Sequence, residues 1–335
     1  MKTLDLDIVA TRGAEVESRH RVHAVVVGDA DALLGVAHNP ATVSSWRSCA
    51  KPFQIMPLLQ SGGFDELHWG DDQLALACAS HGGEPVHVEV ARRMLAKSGS
   101  GEDLLECGAH PPSDSKAAQD LAARGLAPLQ VHNNCSGKHA GMLAVAAHAG
   151  AEARNYSTQA HPVQRGVAAV LDRLCDVETT DLPCGVDGCS VPTWGIPLRN
   201  LALGFQRFLS GETLAAERAR AAARITHAVR MHPYMVAGRK RFCTALMEAV
   251  PRAFVKTGAE GVFCGGVAHA GIGIALKCDD GTHRASEIAM AAVLLSLDAW
   301  TEAEREALSR FARHELSNWR RIPTGTITST YGRNR

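Results

Sequence analysis

Ser48 and Lys51 stand three positions apart, a hydroxyl and an amine separated by one turn if the chain is helical there. The run that follows, Pro52-Phe53-Gln54-Ile55-Met56-Pro57-Leu58-Leu59, is apolar. Pro52 suits a first turn, whose N–H groups have no intrahelical partners. The sequence therefore predicts a helix start near Ser48, with Lys51 over it on one face. A partly desolvated lysine can lose its proton there and act as base to the serine, the arrangement of Ser-x-x-Lys acyl-transfer enzymes. Ser113-Asp114-Ser115-Lys116 repeats the spacing in a polar, proline-preceded loop and reads as solvated.

Three further clusters carry chemistry. Lys256-Thr257-Gly258 closes a strand-like run, where a cation, a small hydroxyl and a glycine can line a cleft. Ser80-His81-Gly82-Gly83 ends a helical run and offers a second serine with backbone N–H donors for an oxyanion. Cys135-x-x-Lys138-His139 and Asp187-Gly188-Cys189 lie in glycine-containing segments, and two cysteines with a histidine or an aspartate can bind zinc. A Cys184–Cys189 disulfide is the alternative for the last pair.

The elements that must position these groups fall into three blocks. Residues 5–38 read as strands, with a hairpin turn at Gly28-Asp29-Ala30-Asp31. Helical patterns then dominate, among them Asp71 to Cys78, Pro85 to Lys97, Ala140 to His148, His161 to Cys175, Leu198 to Phe208 and Leu214 to His232. Strand character returns at 253–256, 261–267 and 272–277, before two closing helices at about 286–300 and 302–316. This predicts an α/β (α+β) fold: an antiparallel sheet of N- and C-terminal strands, flanked by helices, with an inserted helical region. Residues 1–335 read as one domain, with a sheet subdomain from about 1–47 and 253–335 and a helical region from about 48–252.

Lys+Arg and Asp+Glu both total 35, so the chain lacks the basic excess that nucleic acid or an anionic membrane surface demands. No apolar run of 18 residues is present, and no spanning helix is expected. Residues 1–8 alternate charge without an apolar core, which predicts a cytoplasmic protein with reduced cysteines. The ten cysteines are scattered, without a Cys-x-x-Cys pair.

The order Ser-x-x-Lys then Lys-Thr-Gly is similar to the two-box pattern of penicillin-recognising serine enzymes and glutaminases. A closer resemblance rests on five phrases: Arg47-Ser48-Cys49-Ala50-Lys51-Pro52, Cys78-Ala79-Ser80-His81, Asn134-Cys135-Ser136-Gly137-Lys138-His139-Ala140-Gly141-Met142, Asp187-Gly188-Cys189-Ser190-Val191-Pro192 and His232-Pro233-Tyr234-Met235-Val236-Ala237-Gly238. Together they resemble the rhizobial-type L-asparaginase II family from about Val16 to Lys277. The resemblance implies hydrolysis of L-asparagine, a fold like that of serine β-lactamases and glutaminases, and a homodimer. It implies two Ser-Lys pairs, Ser48 with Lys51 and Ser80 with Lys256. It implies zinc on Cys135, Lys138 and Cys189, with Arg47, Asp187, His139, Gly82 and Gly188 around the substrate. Lysine ligates only as the neutral amine, and lowering its pKa from about 10.4 to about 7 costs about 4–5 kcal/mol; two thiolates on the metal favour that change. Departures from the pattern are Cys49 in place of a small residue, a short segment between Gly261 and Gly273, and a poorly matching tail after Trp319. The expected reaction is serine acyl transfer with Ser48 attacking, or alternatively Ser80. A glutaminase, a β-lactamase-like hydrolase and a non-enzymatic zinc protein are the competing readings.

Overall fold

The structure, a computed structural model, describes residues 1–330. The chain divides into two compact units. Residues 1–49, 196–210 and those from 246 onward form a sheet unit; residues 50–195 and 211–245 form a helical unit.

The sheet unit holds a six-stranded sheet in the order Lys2–Thr3, Leu33–Ala37, Val22–Val27, Ile272–Cys278, Val262–Val267, Ala253–Thr257. N-terminal and C-terminal strands meet at Val26 opposite Ile274. All pairs are antiparallel except Lys2–Thr3, which runs parallel to Leu33–Ala37. The inner strands are buried almost throughout, which is why they read as continuous apolar runs rather than alternating ones. One covering layer is the helix Leu198–Ser210, which lies on Ile272–Cys278 and Val22–Val27. Its stripe Leu198, Leu201, Ala202, Phe205, Phe208 and Leu209 is buried. The sequence reading placed this segment in the helical region; its apolar face seats it on the sheet instead.

The N- and C-terminal strands, expected in one sheet, form two of the three sheets among the described residues. A second sheet runs Arg313–Ser317, Pro323–Ser329, Ile8–Arg12, Glu15–His20. The helix expected over 302–316 therefore stops at Ser309, after a capping box between Thr301 and Glu304. The helix before it spans His283–Leu295. Arg313–Ser317 has no buried position, so no alternating pattern marks it; pairing with Pro323–Ser329 makes it a strand. The Asn318 side chain accepts the Arg320 and Ile322 N–H groups and closes the turn between them.

The helical unit is built around Ser136–His148, which is buried on nearly every face. Such a helix is apolar all round and belongs in a core. It packs against Met56–Gln60, Asp71–Ala77, Pro85–Lys97 and Pro162–Cys175. Gly137 permits the closest of these contacts, because a Cβ there would lie 2.4 Å from the Leu76 carbonyl oxygen. The hairpin of Cys184–Val186 with Pro192–Pro197 begins in this unit and carries the loop 187–191. Among the described residues, no helix is long and apolar enough to cross a membrane.

Candidate active site

Ser48 does not start an α-helix. It lies in a 3-10 turn, Arg47–Ala50, and the α-helix begins at Lys51 with Pro52 in its first turn. Arg47 has φ +46°, a left-handed conformation rare for a residue with a side chain. The turn is anchored within the sheet unit by Cys49, whose thiol donates to the Lys256 carbonyl oxygen at 3.2 Å. A Cβ on Gly258 would lie 3.1 Å from the same sulfur, so Cys49 occupies the room that Gly258 leaves open. This accounts for a cysteine between Ser48 and Lys51. Lys256 sits on the strand Ala253–Thr257, only 1% exposed, and its amine donates to the Thr257 carbonyl at 2.8 Å.

In the helical unit, Lys51 is 2% exposed. Its Nζ lies 2.5 Å from the Ala79 carbonyl oxygen and 2.9 Å from Ser80 Oγ. The geometry thus joins Lys51 to the second serine. Ser80 follows the helix Asp71–Ala77, and its N–H donates to the Val236 carbonyl at 2.9 Å, inside the 232–238 phrase. The next amides are committed as well: His81 N–H to Asn134 O at 3.2 Å, and Gly83 N–H to His81 Nδ1 at 3.1 Å. Among the described residues, the Gly82 and Glu84 N–H groups are those in this loop without such a partner.

Cys135, Lys138 and Cys189 come together. Cys135 caps the helix Ser136–His148 and Lys138 lies in its first turn, while Cys189 is presented by the 187–191 loop. That loop is closed by Asp187 N–H to Val191 O at 2.9 Å and by Gly188 N–H to Asp187 Oδ1 at 2.7 Å. Lys138 Nζ is 2.8 Å from Cys189 Sγ. The two thiols share a hydrogen bond that lowers Cys135 well below the ordinary thiol value and raises Cys189. Lys51 and Lys138 lower Cys135 further, while its thiol donates to Asn134 Oδ1 at 3.0 Å. Burial disfavours a charged Lys138, but the two sulfurs outweigh it and the net shift is upward. Asp187 is half-buried at the loop's start.

His139, expected beside the substrate, is fully buried. The Glu106 N–H donates to Tyr156 Oη at 2.9 Å, and the same oxygen is hydrogen-bonded to His139 Nδ1 at 2.6 Å. Burial and the Lys138 charge push His139 down to about 4, so it is neutral. Its ring backs the thiol pair, with Cys189 among its hydrogen-bonding neighbours.

Tyr156 is one of the groups that motif reasoning missed. Another is Glu84, 2% exposed, which accepts from Tyr234 Oη at 2.5 Å, Arg239 N at 2.9 Å and the Arg239 guanidinium at 2.9 Å. Burial would raise Glu84, but these bonds outweigh it and lower its pKa. This carboxylate ties the loop after Ser80 to the segment whose Val236 carbonyl holds Ser80. The available signal was scarcity, since the chain has only three tyrosines and two of them sit here.

No curated protein matches the chain. A crystal structure of a β-lactamase from Mycobacterium bovis is similar at 14% identity and a TM-score of 0.39, over 87% of this chain and 95% of that one. The L-asparaginase II family matches residues 8–329, well past both ends of the stretch on which the motifs alone showed resemblance and into the C-terminal strands. The chain belongs to the L-asparaginase II family, and so to the asparaginase-type amidohydrolases.

Proposed function

We propose that this chain hydrolyses the side-chain amide of L-asparagine to L-aspartate and ammonia through an ester on serine. The observation that carries the reading is the buried Lys51 amine 2.9 Å from Ser80 Oγ. In its neutral form Lys51 takes the Ser80 proton, and Oγ bonds to the amide carbon. The Gly82 N–H, left over in this loop, would hold the oxyanion. Lys51 returns the proton to the amide nitrogen as the C–N bond breaks and ammonia leaves. Water then adds to the β-aspartyl ester, losing its proton to Lys51, and Ser80 is regenerated. Asp187 would pair with the substrate α-amino group. Ser48 as the attacking hydroxyl is a second reading, favoured by its position three residues before Lys51.

Cys135, Lys138 and Cys189 fit a zinc ion: two buried sulfurs and a buried amine converge, with Lys138 Nζ 2.8 Å from Cys189 Sγ. Cys135, Cys189 and a neutral Lys138 would hold the ion, which would supply positive charge beside the thiols. The chain's own residues do the rest: Tyr156 holds the His139 ring, and the 187–191 loop holds Asp187. A homodimer is part of the same proposal, tested by light scattering.

The experiment is ammonia release from asparagine, glutamine and a chromogenic β-lactam, with and without zinc. Release from asparagine in preference to the others is expected. No release from any amide at any metal load overturns the reading.

A further inference from the structure

His81 lies beside the proposed reacting serine yet takes no part in the steps above. It is 0% exposed, and so is Ser136. The Gly83 N–H donates to His81 Nδ1 at 3.1 Å, which makes Nδ1 an acceptor and puts the ring proton on Nε2. Nε2–H then donates to Ser136 Oγ at 3.0 Å. The His81 backbone N–H reaches Asn134 O at 3.2 Å. Main chain and ring of one residue therefore both grip the segment Asn134–Ser136. That segment contains Cys135 and opens the helix that carries Lys138. On its other side the His81 ring stacks on His87, with centroids 5.0 Å apart and an interplanar angle of 15°. His87 stacks in turn on Tyr234 at 5.7 Å and 9°. Tyr234 donates to Glu84, at the far end of the same loop.

We propose that His81 is a positioning residue: through Ser136 it locks the loop bearing Ser80 to the helix start bearing Cys135 and Lys138, so that the Ser80 hydroxyl stays aligned with Lys51. The inference rests on the reading of Ser80 as a reacting group. His81 moves no proton in this role. Burial, then His87 and Lys51, push its pKa well below the ordinary histidine value, so the ring is neutral at the pH of the reaction. Alignment of this kind is worth a large factor in rate, since a displacement of about 1 Å can cost roughly a hundredfold.

The test uses Ser136→Ala, His81→Gln, which keeps an N–H donor for Ser136, and His81→Leu, which keeps neither ring contact. Steady-state ammonia release and amide hydrogen exchange are measured on each. Ser136→Ala is expected to lower kcat by about tenfold with KM within about twofold, the signature of a lost alignment rather than lost binding. Its exchange is expected to rise over residues 79–84 and not across the sheet unit. His81→Gln should retain more activity than His81→Leu, with a pH–rate profile of unchanged shape. Adding Ser136→Ala to His81→Leu should cost nothing further, because both break one connection. Wild-type kcat and wild-type exchange at 79–84 in Ser136→Ala overturn the proposal, as does loss of a limb of the pH profile in His81→Gln. Should His81→Leu fail to fold, Ser136→Ala and His81→Gln carry the test. Should the wild-type protein release no ammonia, the amide-hydrolase reading fails, and exchange in Ser136→Ala still decides whether His81 locks the loop.

Discussion

In the sheet unit the inner strands bury valine, isoleucine, leucine and phenylalanine almost without interruption, and Lys256 and Thr257 are buried polar residues at the end of Ala253–Thr257. In the helical unit Lys51, Ser80, His81, Glu84, Lys138 and His139 are all at most 7% exposed. The first interior is held by apolar area removed from water, which tolerates small shifts. The second must satisfy each buried polar atom by a directed partner, and a missing partner costs more than the contact contributes. The helical unit therefore has the more constrained geometry, and the two units should fail in different ways when perturbed.

The largest effect is expected from Lys51→Met and Ser80→Ala. Each should lower kcat by about a thousandfold or more, and the double variant should be no worse, because the two act as one unit. Losses that multiply in the double variant, measured by ammonia release, would break the pairing on which the helical unit is read.

Packing gives the next contrast. Gly137→Ala puts a methyl 2.4 Å from the Leu76 carbonyl, at the start of the helix that carries Lys138. It should destabilise by about 1–3 kcal/mol in denaturant unfolding. Gly188→Ala meets nothing within 4 Å and should change stability by less than about 0.5 kcal/mol.

Acid should separate the units. His81, His87 and His139 all have pKa values lowered by burial in the folded helical unit, His139 to about 4. A histidine lowered on folding contributes stability above its unfolded value, about 6.5, and loses it as pH falls toward the folded value. In the sheet unit, hydrogen bonds from Arg252 hold Glu304 at about 2. Burial would raise Asp280, but bonds from Cys278 and His20 outweigh it and hold that carboxyl at about 2. A carboxyl lowered on folding contributes above its unfolded value and loses the contribution only as pH drops from about 4.5 toward 2. Hydrogen exchange at pH 5 should therefore show the helical unit opening while the sheet unit stays protected. The reverse order would contradict the assignment of neutral buried histidines. The smallest effect is expected from Glu304→Gln, which should lower Tm by about 2 °C and leave ammonia release unchanged.

The same contrast explains what the sequence revealed. Val22–Val27 and Val262–Val267 were legible as strands because burial on both faces leaves an unbroken apolar run. Pro85–Lys97 was legible to its ends because a proline starts it and Ser98-Gly99 stops it. Arg313–Ser317 was not, since an exposed strand bears no pattern and takes its form from a partner. In the site, Ser80, Cys135, Lys138 and Cys189 stood out as reactive types in irregular segments. Which amine serves which serine did not, because a spacing of three places Lys51 near Ser48 in sequence, while the fold turns its amine to Ser80. Tyr156, Glu84 and Arg239 escaped notice for a related reason: their importance lies in satisfying other buried groups, and that depends on contacts 50 and 155 positions apart along the chain.

The central claim is that the hydroxyl held by Lys51 forms the acyl-enzyme. Rapid acid quench of the wild-type protein during turnover of L-asparagine, followed by peptide mass spectrometry, tests it directly. The account predicts one aspartyl ester on the peptide containing Ser80. An ester on the Ser48 peptide, or turnover with no ester on any peptide, would contradict it.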